Sequence, residues 1–170
     1  KTRLPVMEGR VCSRRKRGKH VRLHGSEIGQ HAGERVKLAG WLHNVRALGK
    51  LNFVQLRDVT GLCQVVLTKA ELGQLHDALP ESVIEIEGLV VAEPQAPGGF
   101  ELHDPVITVL NRVAEALPFP INKPDLDVHL DNFLNSAVLG LRHPRKQACF
   151  RLFAGVIGGF RHYLDQHGFT

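Results

Sequence analysis

The sequence predicts an all-β domain over residues 34–111, a five-stranded Greek-key barrel with one inter-strand helix, followed by a hinge and a C-terminal α-helix. Three observations predict it. Short segments that alternate apolar and polar residues recur with turn residues between them, the pattern of a small β domain. One helical pattern interrupts the series after its third member. The turns themselves are legible, with Thr60-Gly61 linking the second and third segments and Pro97-Gly98-Gly99 leading into the fifth.

The predicted strands run from Arg35 to Arg46, Leu51 to Val59, Leu62 to Leu67, Ser82 to Val91 and Phe100 to Leu110. Between the third and fourth, Thr68 followed by Glu71 forms a capping box that satisfies free N–H groups at a helix start. Leu72, Leu75 and Leu79 then fall at helical spacing before Pro80 stops the pattern. The order β-β-β-α-β-β is that of an OB fold, whose face on strands two and three commonly binds single-stranded nucleic acid.

Alternation assigns faces. Val54 and Leu56 share the buried face of the second strand, leaving Leu51, Phe53, Gln55 and Arg57 on the other. In the third strand Cys63, Val65 and Leu67 read as core, so Gln64 lies outward, within reach of Phe53. A ring beside an amide and a guanidinium suits an unpaired base, through stacking and edge hydrogen bonds. The residues alone equally allow Phe53 to pack beneath a loop.

The net charge of +5 belongs to the leading arm: residues 1–35 hold ten Lys/Arg against three acids, the remainder twelve against fourteen. Residues 1–33 are therefore expected to form a basic, disordered arm. Arg14, Arg15, Lys16 and Arg17 are its candidates for gripping phosphates without sequence preference, a solvated tail being the plainer alternative. The three cysteines are widely separated and lack metal-ligand spacing, so neither a disulfide framework nor a metal site is indicated. With no long apolar run and no signal-peptide pattern, the expectation is a cytoplasmic protein without a membrane partner.

Gly40-Trp41-Leu42-His43-Asn44-Val45-Arg46, Phe53-Val54-Gln55-Leu56-Arg57-Asp58 and Gly61-Leu62-Cys63-Gln64-Val65-Val66 together resemble the anticodon-binding domain of class IIb aminoacyl-tRNA synthetases. Arg57-Asp58 with Gly61 and Gln64 is most similar to the aspartyl-tRNA synthetases, and Ala96-Pro97-Gly98-Gly99-Phe100-Glu101 to their archaeal-type branch. Asp125-Leu126-Asp127 and Leu130-Asp131-Asn132 resemble the hinge of that family over residues 112–143, and His167-Gly168-Phe169-Thr170 the approach to its first class II motif, within residues 144–170. The resemblance implies that Phe53 stacks on the central anticodon base, that Gln64 hydrogen-bonds anticodon bases, and that Arg46 and Glu101 share their face. It also implies tRNA(Asp) as partner. His43 and Pro97 resemble the members that accept tRNA(Asn) as well, although on the residues alone they are equally an ordinary strand histidine and turn proline.

The chain departs from the family pattern after Asn132, where Phe133 stands in place of an arginine and Leu139-Gly140-Leu141-Arg142 follows late. The motifs that bind ATP, Mg2+ and the amino acid are not found before Thr170, so no catalytic residue is assigned, the chain alone is expected to lack ligase activity, and the family's homodimer is not assured. From Pro144 the pattern Phe150, Phe153, Ile157, Phe160 and Leu164 predicts an amphipathic helix, with interior glycines at 155, 158 and 159 weakening it. Two other readings stay open: a stand-alone, non-catalytic OB-fold protein that binds single strands generally, and a truncated copy without function.

Overall fold

The computed structural model describes residues 22–49 and 51–170. Among them six strands form: β1 (Arg22–Leu23), β2 (Arg35–Leu48), β3 (Leu51–Arg57), β4 (Leu62–Leu67), β5 (Val83–Ala92) and β6 (Phe100–Asn111). β2 pairs antiparallel with β3 and, through its first half, with β5. β3 pairs antiparallel with β4, β4 parallel with β6, and β6 antiparallel with β5. Traced from β2 through β3, β4, β6 and β5, the pairings return to β2, so these five strands close on themselves as the OB fold requires.

The core follows from alternation. Val36 and Leu38, Val54 and Leu56, Cys63, Val65 and Leu67, Ile84 and Ile86, and Leu102 are all buried on the inner face. Each such aliphatic side chain contributes about 1.5–3 kcal/mol when fully buried. Two features break the alternation. At Gly40 an added Cβ would lie 2.3 Å from the Arg57 carbonyl oxygen, so only glycine lets β2 approach β3 this closely. A bulge between Leu42 and Asn44 then leaves Leu42 and His43 both buried, Leu42 in the core and His43 outside it.

The inter-strand helix α1 is shorter than its apolar spacing predicts, spanning Lys69–Gly73 before the chain continues through turns. The capping box is formed: Glu71 N–H donates to Thr68 Oγ1, and Thr68 N–H donates to Glu71 Oε2. Gly73 removes helical preference at the fifth position, while Leu75 still reaches the core.

Of the basic arm expected over residues 1–33, the part from Arg22 on is ordered structure. Arg14, Arg15, Lys16 and Arg17 lie outside the described residues, but from Arg22 the chain is folded onto the barrel. β1 adds in parallel to β2, and a 3-10 helix, Gly25–His31, buries Ile28. Asp58 anchors this segment: its Oδ2 accepts from Gly25 N–H at 2.6 Å while Oδ1 accepts from Thr60 and Gly61. Burial works to raise the Asp58 carboxyl, but these hydrogen bonds outweigh it and hold the group below its ordinary value.

Beyond β6 an irregular stretch buries Phe119 and Ile121 and leads to α2 (Leu130–Asn135), α3 (Ala137–Gly140) and α4 (Pro144–Gln166). The unusual Phe133 has a local use: a Cβ at Gly140 would lie 2.3 Å from its ring, so the phenyl group rests on bare backbone between α2 and α3. α4 opens with Pro144 in its first turn and His143 as N-cap, its Nδ1 accepting from Arg145 N–H. The chain leaves it at Gly168, whose φ is +76°. α4 is helical throughout despite its interior glycines, and Phe150, Phe153, Ile157 and Phe160 are exposed along it. No helix among the described residues is long and apolar enough to cross a membrane.

Candidate nucleic-acid interface

Residues directly opposite one another on paired strands share a face of the sheet, so the register alone assembles the surface. Arg46 on β2 faces Phe53 on β3, which faces Val66 on β4. One rung along, Asn44 faces Gln55, Gln55 faces Gln64, and Gln64 faces Glu101 on β6. Two adjacent rows thus cross the outer face of the barrel. Phe53 and Gln64 sit on a diagonal between them, a spacing of roughly 7–8 Å that a ring and a long amide readily bridge.

The groups are partly exposed where a ligand would need them. Phe53, Gln55 and Gln64 are neither sealed in the interior nor fully solvated, and Arg46 is exposed. Glu101 is mostly buried at 7% exposure, yet both its oxygens are engaged. Gln64 Nε2 donates to Oε2 at 3.0 Å, and His103 Nε2 lies 2.7 Å from Oε1.

The guanidinium expected beside Phe53 is a different one. Arg57 is on the outer side by alternation, but it is buried: Nη2 donates to Glu81 Oε2 at 2.7 Å, and its charge lies over Trp41. Neutralised and covered, Arg57 offers nothing to a base. Arg46 supplies the guanidinium instead, directly opposite the ring.

His43 and Pro97 lie apart from the two rows. The bulge turns His43 toward the linker end, where its Nδ1 accepts from Arg57 Nη1 at 3.1 Å and its carbonyl accepts from Asn122 Nδ2. Burial, and next the Arg57 charge, lower its pKa below the usual histidine value, so it is neutral near pH 7. Pro97 opens the turn before β6 and lines a groove with Ile28, Thr60, Gly61 and Leu62. Sequence reasoning missed His103, Glu81 and Arg142. His103 carried a signal, since it lies two residues from Glu101 and so on the same strand face, and Arg142 was noted only as the end of Leu139-Gly140-Leu141-Arg142.

An OB-fold nucleic acid binding domain family matches residues 36–110. The chain is 37% identical over 150 residues to the aspartate–tRNA(Asp/Asn) ligase of Thermus thermophilus, a match spanning 88% of this chain and 34% of that protein. It is 42% identical over 143 residues to the enzyme of the same name from Methanopyrus kandleri, across 81% of this chain and 33% of the other. These matches run through the rows that carry Phe53, Gln64 and Glu101. The chain carries the anticodon-binding OB domain of the aspartyl/asparaginyl-tRNA synthetases. Asparaginyl-tRNA synthetase from Pyrococcus horikoshii, solved with asparaginyl-adenylate, superposes with a TM-score of 0.76 at 29% identity, covering 86% of this chain and 35% of that one. The chain spans about a third of the length of the curated relatives it matches.

Within this anticodon-binding domain the described residues contain no group of three or more His, Cys, Asp or Glu that could hold a metal ion. What the outer face offers is an aromatic ring, the three amides of Asn44, Gln55 and Gln64, a guanidinium and an anchored carboxylate. Groups of these kinds stack on unpaired bases and hydrogen-bond their edges.

Proposed function

We propose that the chain reads the anticodon of tRNA(Asp), and of tRNA(Asn) as well, as part of an aspartate(-asparagine)–tRNA ligase. The central anticodon base stacks on Phe53, Gln64 and Glu101 contact base edges, and Arg46 balances phosphate charge. The observation that carries this reading is the alignment of Arg46 with Phe53, and of Gln64 with Glu101, in neighbouring rows of one outer face. Relatives named as tRNA(Asp/Asn) ligases support the dual partner. The ligase chemistry, with its ATP and Mg2+, and a homodimer belong to the whole enzyme.

His43 and Pro97 act in this reading through the strands they adjoin rather than by touching the ring. A site that does not demand one hydrogen-bond pattern at the third base tolerates two, because neither leaves a buried polar group unpaired. The test is equilibrium binding of the full chain to three RNAs: anticodon stem-loops of tRNA(Asp) and tRNA(Asn), and one with its anticodon replaced. The two cognate loops should bind within about tenfold of each other and the replaced loop more weakly. Equal binding of all three, or of poly-uridine, would instead mark a general single-strand binder.

A further inference from the structure

His103 belongs to no motif of the chain, yet it makes one of the shortest contacts on the outer face, 2.7 Å from Glu101 Oε1. The carboxylate it meets is 9% exposed in its side chain, and His103 itself 38%. A carboxylate only accepts hydrogen bonds, so the group opposite each oxygen must donate. Gln64 therefore turns its NH2 toward Oε2, as the 3.0 Å contact records. A flipped amide would set two oxygens against each other.

Fixing the amide has a chemical consequence for any base beside it. With one N–H committed to Glu101, half-buried Gln64 keeps its carbonyl oxygen and its second N–H for a ligand. Among the described residues nothing donates to that carbonyl. An acceptor beside a donor matches the N3–H and adjoining carbonyl of uracil. With the base held in place by stacking on Phe53, cytosine at that same position would set its N3 acceptor against the carbonyl and its exocyclic amine against the N–H. The orientation of Gln64 is the readout, and the Glu101 carboxylate sets it.

We propose that His103 is the positioning residue for this readout: it holds Glu101 Oε1, leaving Oε2 aimed at Gln64 and the amide locked in the uracil-reading orientation. Without His103 the largely buried Oε1 lacks its donor and the carboxylate turns to recover one. Gln64 is its nearest source. The amide then loses its fixed direction, and discrimination falls more than affinity does, because the Phe53 stacking surface is unchanged. His103 acts through Glu101 and need not touch the RNA.

This inference rests on the anticodon reading of the same face, and the experiment separates the two. The full chain, as wild type, His103→Leu, His103→Gln and Phe53→Ala, is titrated with anticodon stem-loops carrying uridine or cytidine at the central position. The Gln64 side-chain amide resonances are followed by NMR. His103→Leu should lower the uridine-to-cytidine preference about tenfold, the scale of one net hydrogen bond, while binding uridine nearly as well as wild type. It should also shift the Gln64 amide signals. His103→Gln, which keeps a donor at comparable reach, should restore both. A wild-type preference that survives in His103→Leu with unmoved Gln64 signals overturns the positioning role and leaves the anticodon reading intact. Absence of any preference in the wild type, together with unchanged binding by Phe53→Ala, overturns the reading beneath it.

Discussion

Arg142 Nη1 lies 2.9 Å from Glu81 Oε2, the same oxygen that Arg57 Nη2 reaches at 2.7 Å. Both guanidiniums also lie over Trp41, at 5.4 and 5.5 Å from its ring. One buried carboxylate thus joins the barrel, through Arg57, to the segment that follows α3, through Arg142. Glu81 holds this place at a φ of +72°, a conformation few side chains adopt. Charge and stacking thus tie the segment after α3 to the OB domain, alongside the apolar burial of Phe119 and Ile121 in the linker.

Removing the shared carboxylate strands both cations. Glu81→Ala should cost about 3–5 kcal/mol, the range for uncovering a buried ion-pair partner. Arg142→Ala, whose side chain is 38% exposed, should cost about 1 kcal/mol or less. In the Glu81→Ala background the Arg142 change should cost less than it does alone, since only its contact with Trp41 is then left to lose. Urea denaturation of the two single variants and the double variant measures the coupling, and additive losses would show that the two residues act independently.

Asp58 ties the segment Gly25–His31 to the barrel, and its depressed pKa gives that tie a pH dependence. A carboxyl whose folded pKa lies below its unfolded value of 3.8 stabilises above that value. The contribution is lost as pH falls through the folded value, because the unfolded chain then binds the proton first. Amide exchange protection at Gly25 and Ser26 should therefore weaken as the medium is acidified below the unfolded value. Asp58→Asn should show reduced protection at neutral pH and little further change in the same window. Protection in the variant that matches wild type at neutral pH would contradict the anchoring role.

Cys63 and Cys149 should differ sharply toward thiol reagents. Burial, then the charges of Asp58 and Glu101, push the Cys63 thiol up to about 12, whereas Cys149 is exposed on α4. Since the thiolate is the nucleophile, Cys63 should be modified only on unfolding. Mass mapping after brief alkylation at pH 8 should find Cys149 labelled and Cys63 untouched; labelling of both in the folded chain would contradict the burial.

Much of this architecture was legible in the sequence because it rests on local rules. Period-two alternation placed Val54, Leu56, Cys63, Val65 and Leu67 inside, and Thr68 with Glu71 located the start of α1. The rows of the outer face follow from the same alternation once the strands are in register, so Phe53 and Gln64 could be named as neighbours. What escaped depends on distant partners. Nothing local to Arg57 foretells that Glu81 and Trp41 bury its charge, and nothing around Leu23 and Ile28 marks them as anchors of an otherwise polar stretch. The bulge at His43 is likewise a tertiary event, arising where β2 leaves β5 to run alone beside β3.

The central claim is that the Phe53 ring is a stacking platform for an anticodon base, and affinity for the tRNA(Asp) anticodon stem-loop tests it most directly. Phe53→Ala should weaken binding by about 1–3 kcal/mol, and Phe53→Trp should retain it. An alanine variant that folds normally and binds the stem-loop with wild-type affinity would contradict the account.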